Sequence, residues 1–135
     1  MIIVEANVII YSKYVVGGTS LQSGFRTTMK ICDKGYISQL ITYQGKPIPL
    51  DIETTVEIKI LYGEIDVKGI KENVQFDFIA GKIVGNGYIT KVKEIYVEKD
   101  ALESLCDKEL SKEIIEYAEQ LDNAIIFDDA YELIN

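Results

Sequence analysis

The chain has 135 residues, a formal net charge of −8, 47% apolar residues, and neither histidine nor tryptophan. The apolar fraction suffices for a core and argues against disorder, while no apolar run reaches the ~18–20 residues that a bilayer-crossing helix needs. Without histidine the commonest general base, triad member and zinc ligand is missing, so catalysis, a cofactor and a metal set are all unexpected.

Met1–Glu5 has neither a basic segment ahead of its apolar residues nor a small-residue cleavage site, so no leader is expected and the cytoplasm is the expected compartment. Cys32 and Cys106 stand far apart and fit free thiols of that compartment. Charge is divided unevenly. Residues 1–93 hold 11 Lys and Arg against 9 Asp and Glu, whereas residues 94–135 hold 3 against 13. The division coincides with a change of pattern and is read as an architectural boundary.

Residues 1–97 look mainly β. The expected strands are Glu5–Tyr11, Phe25–Cys32, Tyr36–Tyr43, Thr54–Leu61, Val74–Ile79 and Ile83–Val92. Thr55-Val56-Glu57-Ile58-Lys59-Ile60 alternates polar with apolar, as a half-buried strand does. Gly17-Gly18, Gly45-Lys46-Pro47, Gly63, Gly69 and Ala80-Gly81 punctuate the runs. Six strands with no helix between them predict an antiparallel six-stranded Greek-key-type barrel. Residues 98–135 form an acidic α-helical appendage packed on it. Asp100-Ala101-Leu102-Glu103 reads as a helix start. Asp107 or Ser111 caps a second helix. Its stripe Leu110, Ile114, Ala118 and Leu121 faces the barrel, and Glu109, Glu113, Glu116 and Glu119 face water. Ala124–Phe127 is a candidate strand, ahead of the acidic Asp128-Asp129.

Several runs carry a resemblance. Val74-Gln75-Phe76-Asp77-Phe78, the Ala80-Gly81 turn, Lys82 and Val84-Gly85-Asn86-Gly87-Tyr88-Ile89-Thr90-Lys91-Val92 resemble the last hairpin of the third domain of elongation factor Tu. Ala6–Lys13, Gly17-Gly18-Thr19, Ser23-Gly24-Phe25-Arg26 and Pro49-Leu50-Asp51 resemble further motifs of that domain in the same order. The resemblance covers residues 1–93. It implies the same β-barrel, separated here from any GTPase domain, and a role with the translation apparatus: binding a translation GTPase or aminoacyl-tRNA. Thr27–Asp33 departs from the family's continuation. Asp33 falls near an expected phosphate-side threonine, where a carboxylate repels phosphate. With the acidic tail added, RNA binding is disfavoured.

Gly85-Asn86-Gly87 also matches part of a nucleotide loop, but the run continues as strand, so close packing is the better account. Arg26 with Lys30, and Lys82 with Lys91 and Lys93, form either solvated strand positions or a basic patch that orients the acidic helix through ion pairs. Tyr14, between Lys13 and two valines, is the candidate interface tip. Glu109, Glu113 and Glu116 are the candidate acidic binding face. Asp128, Asp129 and Glu132 lack calcium-loop spacing. Cys106 reads as a small core residue of the first helix.

These features predict a non-enzymatic binding module whose partner is a protein, with translation as the expected setting. The alternative is an acidic immunity-type protein that neutralises a basic partner such as a nuclease toxin. Pairing of exposed barrel edges leaves a homodimer open.

Overall fold

The computed structural model describes residues 1–15, 18 and 20–129. The strands are β1 (Ile2–Ile10), β2 (Ser20–Leu21), β3 (Phe25–Ile31), β4 (Lys34–Ile41), β5 (Ile48–Pro49), β6 (Thr54–Ile60), β7 (Gln75–Ile79) and β8 (Ile83–Glu98). Helices α1 (Lys99–Leu105) and α2 (Lys108–Glu119) and strand β9 (Ala124–Phe127) complete the chain order. The main sheet runs β1-β6-β4-β3-β7-β8 and closes because β8 pairs back onto β1. All six strands are antiparallel to their barrel neighbours. β7 returns to lie beside β3, at the far side of the β3-β4-β6 meander, which is the Greek-key step expected from the sequence.

Alternation fills the barrel. Ile2, Val4, Ala6, Val8 and Ile10 of β1 point inward, as do Val56, Ile58 and Ile60 of β6. They meet Met29, Leu40, Phe76, Phe78 and Ile89 in one cluster. Phe76 and Phe78 pack edge to face, with ring centroids 5.3 Å apart. The Ala80-Gly81 turn lies where expected, with Gly81 at φ 75°. The strand reading of Gly85-Asn86-Gly87 also holds, since all three lie inside β8. A Cβ on Gly87 would stand 2.4 Å from the Asn7 carbonyl oxygen and 2.8 Å from the Phe76 ring; one on Gly85 would stand 2.6 Å from the Ile9 oxygen. These two glycines let β8 press against β1 at the seam. Register shifts at Ile3/Val4 and Glu5/Ala6 add local twist along the same seam.

β8 is longer than the sequence signal indicated and crosses the Val97/Glu98 boundary without a break. Its distal half takes up β9 in parallel, from Ile95↔Ala124 to Glu98↔Phe127. Parallel pairing needs a crossover, and α1 and α2 supply it. The helix starts differ from expectation in one respect. Asp100 sits in the first turn of α1, whose N-cap is Glu98, with no side-chain cap bond. Asp107, not Ser111, caps α2 by accepting from the Leu110 N–H at 2.8 Å. Ser111 is instead buried, donating to the Leu102 carbonyl at 3.3 Å. Cys106 is the C-cap of α1, outside the helix proper. Its Sγ lies 3.1 Å from Ser111 Oγ, at the joint between the helices.

Two outcomes follow from this packing. Gly87→Ala is expected to lower the urea midpoint with an unchanged slope, costing about 2–3 kcal/mol, because backbone must move to admit the methyl. Asp107→Ala is expected to cost ~1 kcal/mol through loss of the α2 cap, read as a drop in Tm. No change in either variant would contradict the packing described.

Candidate functional site

An open groove of about 530 Å3 crosses the outside of β1, β8, β7 and the end of β3. Strand alternation sets its chemistry. Phe76, which turns inward, lies between Gln75 and Asp77, so those two reach the outer face. Asn86 and Tyr88 flank Gly87 in the same way on β8. Register then brings neighbours together: Gln75 opposite Tyr88, Asp77 opposite Asn86, and Lys30 opposite Asp77. Across the seam Asn7 stands opposite Tyr88.

A hydrogen-bond chain fixes part of this surface. Thr55 Oγ1 donates to Asn7 Oδ1 at 2.7 Å, and Asn7 Nδ2 donates to the Tyr88 hydroxyl at 3.0 Å. Asn86 Nδ2 donates to the Tyr11 hydroxyl at 2.5 Å. Cys32 and Asp33 close the groove's far end as a two-residue turn, both at positive φ (49° and 67°), which matches the twist of a tight hairpin. The groove contains Asp33, Glu53 and Asp77 against the single cation Lys30. Lys30 Nζ lies 3.7 Å from Asp33 Oδ1. Among the described residues, no ion pair engages Asp77 or Glu53.

Of the candidate binding residues Tyr14, Arg26, Lys30, Lys82, Lys91, Glu109, Glu113 and Glu116, Lys30 alone lines this groove; Asp33, Asn86 and Gly87, weighed from sequence only as poor phosphate contacts, line it too. Arg26 is exposed on β3, and Lys91 is exposed on β8 opposite Glu5. Tyr14 is not an exposed tip. It is half-buried against the core, with the ammonium groups of Lys82 and Lys13 4.4 Å and 5.0 Å from its ring centroid. Val15 is likewise half-buried, and Val16 lies outside the described residues. The basic strand positions do not hold the acidic helix: Lys93 pairs with Glu57 on β6 at 3.6 Å, and Lys82 lies over Tyr14. Apolar packing holds it instead, with Ile114 and Ala118 buried and Leu110 and Leu121 packed beside them. The barrel cation that does meet α2 is Lys68, 5.4 Å from the Tyr117 ring centroid. Glu109, Glu113, Glu116 and Glu119 are all exposed; Lys112 lies 3.9 Å from Glu116.

The groove's main residues, Asn7, Gln75, Asp77, Asn86 and Tyr88, were not among the candidate binding residues read from sequence. Each is an ordinary polar position of an alternating strand, and only register shows that they share a face. Among the described residues, no group of three or more Cys, Asp and Glu is arranged to hold a metal, and no helix is long and apolar enough to cross a membrane. Glu132 lies outside the described residues.

A second polar cluster lies at the other side of β4. Asp66 accepts from Lys34 Nζ and from the Tyr36 hydroxyl, both at 2.5 Å. Burial opposes ionisation of Asp66, but the bonds from Lys34 and Tyr36 outweigh it and hold its carboxyl below the ordinary value. Burial, reinforced by the Asp66 bond and charge, pushes the Tyr36 phenol upward. Exposed Ile37, Leu61 and Tyr62 surround the cluster.

No known family model matches the chain, and no curated protein matches it significantly.

The Asp66 cluster gives a signed pH dependence. A depressed carboxylate contributes stability above the unfolded value of ~4 and loses it as pH falls through the folded value. A raised phenol contributes stability below ~10 and loses it as pH rises beyond that. Asp66→Asn is therefore expected to flatten the acid limb of a Tm–pH profile, and Tyr36→Phe the alkaline limb. Limbs unchanged from the parent protein would remove the cluster from this role.

Proposed function

We propose that this chain is a non-enzymatic binding module, similar in plan to the third domain of elongation factor Tu, that engages a protein of the translation apparatus through the polar groove. The observation that carries this reading is the groove itself. It is lined by amides, a phenol and carboxylates, the mixture suited to hydrogen bonding with a polypeptide. The Greek-key barrel is the fold that the sequence resemblance implies, which supports the translation setting and a cytoplasmic site of action. The carboxylates of Asp33, Glu53 and Asp77 would repel RNA phosphates, and Lys30 alone offers a counter-charge. Aminoacyl-tRNA is thus the weaker candidate partner.

One observation favours a second reading. The exposed glutamates of α2 stand on a helix held by apolar contacts, so the barrel does not consume their charge. Such a face suits a basic protein, as in immunity to a nuclease toxin.

The two readings separate in an affinity capture from cells of the source organism. Because β9 is part of the sheet, point variants of the full chain are preferable to truncation. A translation factor captured by wild type, lost with Asp77→Asn plus Tyr88→Ala, and kept by the triple variant E109Q/E113Q/E116Q is the expected result. A basic protein lost with the triple variant, and released at about 0.5 M salt where screening is short-ranged, would select the second reading. Recovery of tRNA, with loss in the groove variant, would overturn the protein reading.

A further inference from the structure

We propose that the groove is a receptor for an arginine side chain presented by the partner protein; this rests on the protein-binding reading above and specifies what is recognised. A guanidinium has five N–H donors in one plane, no acceptor, and an affinity for aromatic faces. The groove has the complementary set. Asp77 is half-buried and Glu53 exposed, both line the groove, and neither is engaged by an ion pair among the described residues. The side-chain nitrogen of Asn86 is spent on Tyr11, which leaves its oxygen as an acceptor. Gln75 adds another amide on the strand position opposite Tyr88.

The aromatic surface is Tyr88, 37% exposed. Its hydroxyl is tied to Asn7, which is itself tied to Thr55. A phenol pinned in this way gives a ring whose orientation is set before a ligand arrives, so less ordering is lost on binding. Gly87 lies beside it in the groove lining. An ammonium also carries positive charge, but it is a compact point charge that neither forks onto a carboxylate nor stacks flat on a ring. A phosphate is opposed by the carboxylate excess. The concave wall raises the local field relative to the exposed glutamates of α2, where water screens each charge.

The test is a titration of the full, isotope-labelled chain with three small amides, followed by amide and side-chain NMR shifts. The probes are N-acetyl-arginine amide, the lysine analogue, and the citrulline analogue, which keeps the shape of arginine and removes its charge. Saturable shifts at Asn7, Gln75, Asn86 and Tyr88 with the arginine probe are expected. Shifts with lysine should be weaker, and those with citrulline lost. Asp77→Asn, whose other resonances report an intact fold, should lose the arginine response. No saturable shift, an equal response to citrulline, or shifts centred on α2 would overturn the proposal.

The outcome is separable from that of the capture experiment. Arginine binding in the groove without recovery of any translation protein leaves the receptor standing and removes the assigned setting. A translation partner whose capture survives Asp77→Asn plus Tyr88→Ala removes the groove from its recognition and, with a silent titration, removes the receptor.

Discussion

The contact between β1 and β8 is the constraint on which the rest of this structure depends. A sheet of six strands with its ends unpaired would expose two long edges of unsatisfied backbone. Pairing β8 onto β1 removes both, but only if the two backbones come close along the whole seam. Gly85 and Gly87 meet that requirement by carrying no Cβ where the Ile9 and Asn7 carbonyl oxygens stand within 2.6 Å and 2.4 Å of where one would be. The bulges at Ile3/Val4 and Glu5/Ala6 supply the curvature. The same seam puts Asn7 beside Tyr88, so barrel closure and assembly of the groove are one event.

The appendage belongs to this logic too. β8 continues past the barrel, and its distal half still has β1 on one flank, with Ile2 opposite Ile95. The other flank is filled by β9. The acidic helices are therefore a crossover inside a sheet connection. Apolar side chains of α2 hold them, and their carboxylates remain in water. Charge and packing are divided between two faces of one helix, which is how a strongly acidic segment can be structural without neutralisation.

The barrel was legible because alternation and turn chemistry are local signals. Val56, Ile58 and Ile60 announce their inward face from their spacing, and Gly81 announces its turn. The α2 stripe and the Asp107 cap are local in the same sense. The groove was not legible, since Asn7, Gln75, Asp77, Asn86 and Tyr88 come from three strands and share a face only through register. Tyr14 misled for a related reason: a loop tyrosine between a lysine and two valines looks exposed until the β7–β8 hairpin brings Lys82 onto its ring. The length of β8 was hidden because its second half changes partners, from β7 to β9, and runs across the charge boundary at residues 93/94. Lys68 was overlooked as the cation facing α2 because its partner is a ring, and charge patterning reveals only opposite charges.

Closing the first long strand onto the last barrel strand also fixes when folding can finish. Ile10 pairs with Gly85 and Ile2 with Ile95, so the final ladder links segments separated by nearly the whole barrel sequence. Contacts of that span form late and slowly, since a long loop must close before they contribute. During synthesis β1 emerges first and must wait, with Ile2, Val4, Val8 and Ile10 uncovered, until β8 leaves the ribosome. For that interval the nascent chain displays an apolar strand whose seam edge stays unpaired even after β6 has formed its other ladder, so β1 depends on protection while the protein is being made.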